Sequence, residues 1–500
     1  MGGDEVNASN CGDIGAGGFG GKKALPAGTK RIAHERYEEI TVPAATKRAM
    51  DPNAERLVPI DELHEWARPA FAGMESLNRI QSLIYPAAYL SNENLLVCAP
   101  TGAGKTNIAM MTVLREIGNR LVDEDTGEMI RAGNGSNPFA DFKIVYVAPM
   151  KALAAEVTAA FGRRLAPLGV SVRELTGDTQ LSKRELEETC MIVTTPEKWD
   201  VITRKSGEAS TASALRLLIV DEVHLLNDER GPVIETLIAR THRQVETTQA
   251  RVRIVGLSAT LPNPADAARF LGVGDQGLFV FDQSFRPIPL TQIFVGVTEQ
   301  NAMKRAQVMA EVAYRKCVGA LRQGKQAMVF VHSRKDTVKT ARQLAELAAN
   351  DTAGGSDAAD LIAPSDASNN PRVKEFQALV NKSRNPELKE LFAKGLGCHN
   401  AGMLRSDRSL VERAFAAGVV KILVCTATLA WGVNLPAHLV VIKGTTLYDP
   451  QKGGFRDLGV LDVQQIFGRA GRPGFDTSGV GVIVTEHKKL PHYLALLTHQ

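Results

Sequence analysis

The octapeptide Ala99-Pro100-Thr101-Gly102-Ala103-Gly104-Lys105-Thr106 follows the apolar run 95–98 and leads into a helical stretch over 106–120. A strand, a small-residue loop ending Gly-Lys-Thr and a helix form a cradle for phosphate. Backbone N–H groups from Thr101, Gly102, Ala103 and Gly104 and the helix N-terminus surround the anion, Lys105 reaches the outer phosphates and Thr106 holds Mg²⁺. The general pattern begins with Gly where this chain has Ala99. The order strand, loop, helix weighs against a plain Gly-rich turn.

A metal carboxylate must come from elsewhere. The apolar run 217–220 ends at Asp221-Glu222-Val223-His224. A carboxylate at the C-terminal tip of a buried strand falls in the crevice where open α/β sheets bind ligands. Asp221 would bind Mg²⁺ and Glu222 would take the proton of an attacking water. Alone, such a pair is more often a solvated strand end; behind Lys105 it reads as a nucleoside-triphosphate site. Near the end, Arg469 and Arg472 stand three apart, read here as one helical face that could reach a triphosphate held by another domain. In isolation that spacing would mark a basic face in solvent.

These residues need elements to hold them. Short β-branched runs at 95–98, 143–147, 191–194, 217–220 and 253–257 alternate with longer amphipathic stretches such as 153–165, the pattern of a parallel sheet covered by helices. The alternation restarts after Pro287–Pro289 with runs at 327–331, 420–425, 439–442 and 480–485. The fold class is therefore α/β, with two parallel-sheet domains at about 69–285 and 286–487. Residues 1–30 read as a disordered arm, 31–68 as a wrap on the first domain, and 488–500 as the start of a further domain. The polar stretches 123–141 and 349–372 read as surface insertions, the second long enough to be mobile.

Composition fits this reading. The 500 residues are 44% hydrophobic and 23% charged, typical of folded domains, and the net charge of +4 allows a polyanion partner without demanding one. No apolar run is long enough for a membrane span. The six cysteines form no CxxC pair, which argues against a zinc site and suits a reducing compartment, nucleus or cytoplasm. Met1-Gly2 fails as a myristoylation signal because position 6 is Val.

Ten motifs run in one order over most of the chain: APTGAGKT (99–106), APMKALAAE (148–156), TGD (176–178), TTPEKWD (194–200), DEVH (221–224), SAT (258–260), FVHSR (330–334), HNAGM (399–403), TATLAWGVNLPA (426–437) and QIFGRAGRP (465–473). The set resembles the superfamily-two helicases of the DExH type, Ski-like branch, and within it one cassette, the N-terminal one, of the large double-cassette members. The resemblance implies two tandem RecA-like domains and an ATP-dependent helicase or translocase of 3′-to-5′ polarity. Its substrate would be single-stranded or partly duplex RNA or DNA, in a ribonucleoprotein, ribosome quality-control or repair complex.

Residue roles follow from the same resemblance. Gln81 would read adenine and Phe71 stack on it. Gly432 and Asn434 would line the nucleotide cleft, completed by Gln465, Arg469 and Arg472. His224, Ser258 and Thr260 would couple hydrolysis to movement. Pro149, Lys151, Thr195, Ser333, Arg334 and Thr428 would touch the sugar–phosphate backbone, a mode that carries little base information. Asn400 stands where the family has a second His. Residues 445–456 read as a β-hairpin with a longer loop, at the position of the family's strand-separating hairpin. The family continues well past the point reached by this chain, so a fragment that hydrolyses ATP weakly and unwinds poorly is expected. An ATP-gated clamp that grips nucleic acid without unwinding is the alternative.

Overall fold

The computed structural model describes residues 5–7, 25–51, 55–121, 142–204, 213–227, 230–261, 263–351, 358–363, 370–427, 429, 435–449, 453–472 and 475–498. They form two compact units, one of residues 47–286 and one of 1–46 with 287–500. No described helix is long and apolar enough to cross a membrane.

Three short strands, β1 (Glu5–Asn7), β2 (Lys30–Ala33) and β3 (Tyr37–Val42), come first in the chain but belong to the second unit. The 47–286 unit is built on β4 (Leu95–Cys98), β5 (Lys143–Val147), β6 (Val172–Leu175), β7 (Met191–Thr194), β8 (Leu215–Val220), β9 (Arg253–Ser258) and β10 (Leu278–Val280). Their order is β10-β4-β9-β8-β5-β7-β6, every pair parallel. All residues of β4, β5 and β7 are buried because helices cover both faces; the strands are mainly apolar, and the polar exceptions Lys143 and Thr194 donate to backbone carbonyls. The helix Lys105–Leu121 packs Ile108, Val113, Leu114 and Ile117 into the core with Val97, Tyr146, Phe161, Leu217 and Val255. Trp66 lies against this helix at Gly118, where an added Cβ would come within 2.9 Å of the indole.

The second unit adds β11 (Leu290–Val297), β12 (Ala327–Val331), β13 (Leu396–His399), β14 (Ile422–Thr426), β15 (Leu439–Lys443), β16 (Thr446–Asp449), β17 (Gly454–Asp457) and β18 (Gly479–Glu486). Its nine-stranded sheet runs β1-β2-β3-β11-β18-β15-β12-β14-β13, parallel from β11 onward and antiparallel among β1, β2, β3 and β11. Alternate residues of one strand enter opposite cores: Met328 and Phe330 pack with Val411 and Phe415, whereas Val329 and Val331 pack with Val312 and Leu344.

Three expectations change. The wrap placed at 31–68 divides: Val58, Ile60 and Leu63 do join the 47–286 core, but β2 and β3 extend the other sheet, with Ile40 opposite Phe294 and Val42 opposite Gln292. The polar stretch 349–372 contains a short helix, Ala358–Ile362, whose two end residues, four apart on one face, are buried in a core. Past 488, the helix Leu490–Thr498 is no separate beginning, since Leu490, Tyr493 and Leu494 complete the second unit's core. The insertion at 123–141 lies outside the described residues.

Candidate nucleotide and nucleic-acid sites

Parallel pairing sets the site's position. All strands of the seven-stranded sheet end at one edge, and β9 alone separates β4 from β8. The phosphate loop after β4, Ser258 and Thr260 at the end of β9, and Asp221 after β8 therefore share that edge, as the crevice rule requires. The Ala99 N–H donates to the Ser258 carbonyl at 3.1 Å, which continues the β4–β9 ladder into the loop.

Gly102 and Gly104 have φ of 83° and 85°, the left-handed region. At Gly104 a Cβ would fall 2.4 Å from Nε2 of Gln81, so a side chain is excluded twice over. The helix Arg79–Tyr85 begins with a capping box of Asn78 and Gln81. The same two side chains brace the loop: Asn78 Nδ2 donates to the Ala103 carbonyl at 3.0 Å and Gln81 Nε2 to the Gly104 carbonyl at 3.2 Å. Gln81 is 1% exposed with both ends of its carboxamide in use, so the structure gives it a loop-holding task. Phe71, expected against adenine, is buried with Arg164 over its ring at 4.8 Å. Lys105 Nζ donates to the Ala99 carbonyl at 2.9 Å, and Thr106 is exposed at the start of its helix.

Asp221 is the most perturbed carboxyl of this edge. Burial and the neighbouring Glu222 charge push it up to about 7, against hydrogen bonds from Tyr146 and the Glu222 N–H. Tyr146 Oη donates to Oδ2 at 2.7 Å and the Glu222 N–H to Oδ1 at 2.9 Å. Burial and Asp221 in turn raise the Tyr146 hydroxyl well above its usual range. A half-buried carboxyl raised toward neutrality, with an exposed Thr hydroxyl and a glycine cradle on the same edge, is a donor set that suits a divalent cation.

Glu222 has φ of 54°, a left-handed conformation costly for a non-glycine residue. Its Oε2 is 3.3 Å from His224 Nδ1. That nitrogen also lies 3.4 Å from Ser258 Oγ and accepts from the Ala259 N–H at 3.3 Å. The buried imidazole thus joins DEVH to SAT; Thr260 follows, half-buried.

Three expected nucleic-acid residues sit at the same sheet edge. Lys151 pairs with Asp178 at 2.7 Å, linking APMKALAAE to TGD at the surface. The Pro149 carbonyl accepts from Arg230. Thr195 is largely buried, and its carbonyl opens the helix Pro196–Arg204 by accepting from the Trp199 N–H at 3.0 Å.

In the second unit Ser333 caps the helix Arg334–Asn350, accepting from the Asp336 N–H at 3.1 Å and donating to Asp336 Oδ2 at 2.7 Å. Arg334 begins that helix, exposed, on a cavity of about 600 Å³ also lined by Lys335, Lys339, Asn400 and Gly402. Asn400 donates to Thr337 Oγ1 at 3.0 Å and accepts from the Gly402 N–H at 3.0 Å, so the family's second His is replaced by a satisfied tether. His399 Nε2 is 2.7 Å from Glu412 Oε1.

The arginines do not share a helical face. The helix Val460–Phe467 ends before Arg469, and Gly471 at φ 93° turns the chain so that its N–H donates to the Ala437 carbonyl at 2.7 Å. Gln465, buried, lies on the helix and Arg469 in the turn. Arg472 Nε donates to Asp476 Oδ2 at 3.0 Å and Nη1 to Gln326 Oε1 at 2.6 Å. Burial alone would raise the Asp476 carboxyl; hydrogen bonds from Arg472 and Lys325 outweigh it and hold it at about 2. Gly432, Asn434 and Thr428 lie outside the described residues.

β16 and β17 form the expected antiparallel hairpin, with Tyr448 opposite Phe455. The two rings meet edge-on at 5.5 Å and are 60% and 77% exposed. Cys98 and Cys425 are buried and their thiols raised by burial, Cys98 to about 11, so neither is a nucleophile. Sequence reasoning missed Tyr146 and Asn78. For Asn78 the Asn-x-x-Gln spacing before an apolar run was the available sign.

The DEAD/DEAH box helicase model matches residues 78–268 and the helicase conserved C-terminal domain matches 359–474. Over 95% of its length the chain is 58% identical to the DExH-box ATP-dependent RNA helicase DExH14 of Arabidopsis thaliana, covering 21% of that protein. It is 53% identical to activating signal cointegrator 1 complex subunit 3 of Danio rerio over 95% of this chain and 30% of that one. For the Homo sapiens protein of the same name the figures are 52%, 96% and 21%. The chain thus spans between a fifth and a third of these relatives. Among solved structures, the DUF1998 helicase MrfA bound to DNA and AMPPNP shares the fold, with a TM-score of 0.61 at 17% identity over 92% of this chain and 55% of that one. By its motifs, its sheets and these likenesses, the chain belongs to the DExH-box helicases, and its sequence is similar to that of the activating signal cointegrator 1 complex subunit 3 proteins of the Ski-like branch.

Proposed function

We propose that this chain is an ATP-driven motor cassette that moves 3′ to 5′ on RNA and separates duplex, within a larger multiprotein assembly. The observation that carries the reading is the shared sheet edge. Phosphate loop, Asp221-Glu222, the His224–Ser258 link and the Lys151 loop all end there, so a change at the triphosphate is felt beside the strand-contact residues. RNA is favoured over DNA, and a complex over a lone enzyme, because the similar Arabidopsis thaliana protein is an RNA helicase and the Danio rerio one a complex subunit.

Each residue has a definable task. The loop amides and Lys105 hold the outer phosphates, and Thr106 with Asp221 would hold Mg²⁺, which supplies charge neutralisation and orientation. Tyr146 keeps the Asp221 carboxyl aimed and lowers its proton affinity. Glu222 accepts the proton of the water that attacks the terminal phosphorus as the bond to the diphosphate breaks. His224 passes the altered position of Glu222 to Ser258. In the second unit Arg472 is oriented by Asp476 and Gln326.

The deciding experiment is steady-state ATP turnover with no polymer, single-stranded RNA or single-stranded DNA, beside strand displacement from 3′- and 5′-tailed duplexes. RNA-stimulated turnover, lost in Glu222→Gln, with displacement from the 3′ tail, is expected. DNA-selective stimulation, 5′ preference, or gripping without displacement would overturn the corresponding part.

A further inference from the structure

A two-stranded ribbon is marginally stable by itself. Among the described residues β16 and β17 form a two-stranded sheet of their own, and they carry an exposed aromatic pair. Such a ribbon can transmit force to a duplex only if its root does not yield.

The root is held at several points. Thr446 and Asp457 are register partners on opposite strands, and one ammonium joins them: Lys489 Nζ lies 2.9 Å from Thr446 Oγ1 and 2.5 Å from Asp457 Oδ1. One step below, the Leu458 N–H donates to the Thr445 carbonyl at 2.7 Å, and Tyr493 Oη donates to the Leu458 carbonyl at 2.9 Å. Thr445 Oγ1 is 2.6 Å from Thr485 Oγ1, both buried, which fastens the root to β18. On the entry side His332 Nε2 lies 2.6 Å from the carbonyl of Gly444. Tyr493 is itself fully buried, so its helix cannot shift without opening the core.

We propose that Lys489 and Tyr493, which lie beyond the last motif, are positioning residues for strand separation: together they clamp both strands of the hairpin at its root. The inference rests on the strand-separating role given to the hairpin above. An alkyl side chain at 489 would remove the ammonium that joins Thr446 to Asp457 across the root.

The test compares the wild-type chain with Lys489→Met, Lys489→Arg and Tyr493→Phe in three measurements. These are hydrogen exchange of the amides in 446–457, RNA-stimulated ATP turnover, and duplexes separated per ATP hydrolysed. Exchange at least tenfold faster within the hairpin, turnover within twofold of wild type, and a fivefold or greater fall in duplexes per ATP are expected for Lys489→Met. Tyr493→Phe should give a smaller change of the same kind, and Lys489→Arg should restore the ratio. Unchanged exchange in Lys489→Met, or an unchanged ratio despite faster exchange, overturns the proposal. If the wild type separates no duplex, the functional reading fails there, while the exchange arm still decides whether Lys489 clamps the root.

Discussion

Replacing Tyr146 by Phe tests how the metal carboxylate is tuned. The substitution removes one oxygen from a buried position and keeps the ring packed 5.8 Å from Phe161. Asp221 loses the 2.7 Å hydrogen bond to Oδ2 and keeps the one from the Glu222 N–H. A hydrogen bond to a charged group is worth about 1.5–3 kcal/mol, and 1.36 kcal/mol is one pK unit. That bond lowers an Asp221 pKa already near 7, so its loss moves the carboxyl upward by about one unit or more. At neutral pH most molecules would then carry a protonated Asp221, and Mg²⁺ would compete against the proton. The assay is ATP turnover from pH 6 to 9.5 at limiting and saturating Mg²⁺. The alkaline shift of the limiting-metal profile should be about one pH unit, turnover at pH 7 should fall about fivefold, and excess Mg²⁺ should recover most of it. Superimposable profiles for the two proteins would refute the reasoning, as would a uniform loss at every pH and metal level.

Glu222→Gln should abolish ATP turnover by about 10²–10⁴-fold while nucleotide still binds, read by a fluorescent ATP analogue beside a phosphate-release assay. Gly104→Ala forces a left-handed Ala and displaces the Gln81 amide; nucleotide affinity should fall at least tenfold, and the strain of about 1–2 kcal/mol should lower the melting temperature by a few degrees. Asp476→Asn leaves Arg472 and Lys325 short of their shared carboxylate and should cost about 3 kcal/mol by denaturant unfolding. Because the folded Asp476 pKa is depressed to about 2, its contribution is complete above the ordinary carboxylate range. It should fade as pH drops from about 4 through 2 in the wild type only.

What could be read from the sequence follows from burial. β4, β5 and β7 lie covered on both faces, so their sequences are mainly apolar, with only Lys143 and Thr194 at strand ends as exceptions, and their limits were legible to the residue. β6, reading Val-Arg-Glu-Leu at a sheet edge, carries no such run, and β13 is short with a central Gly. β2 and β3 hold Lys, Arg and Glu, and the partner that makes them strands is β11, far along the chain. The phosphate loop and Asp221-Glu222 were visible because their geometry is local: loop after strand, carboxylates at a strand tip. Tyr146 was not, since its function depends on β5 and β8 being neighbours, which no local pattern states. The turn at Gly471 was misread because a positive φ leaves no mark beyond the glycine itself.

The pairing of β3 with β11 also bears on how the chain is made. Val42 finds Gln292 only after roughly 250 residues have been synthesised, and all of the 47–286 unit lies between them. Closing so long a loop costs about 5 kcal/mol of chain entropy, and at ribosomal speeds of about 5–20 residues per second β3 waits on the order of tens of seconds for its neighbour. During that time an exposed strand edge is open to wrong partners. The Lys, Arg and Glu side chains of β2 and β3, which hid these strands from sequence reading, are the gatekeepers that let the nascent segment wait in solution without aggregating.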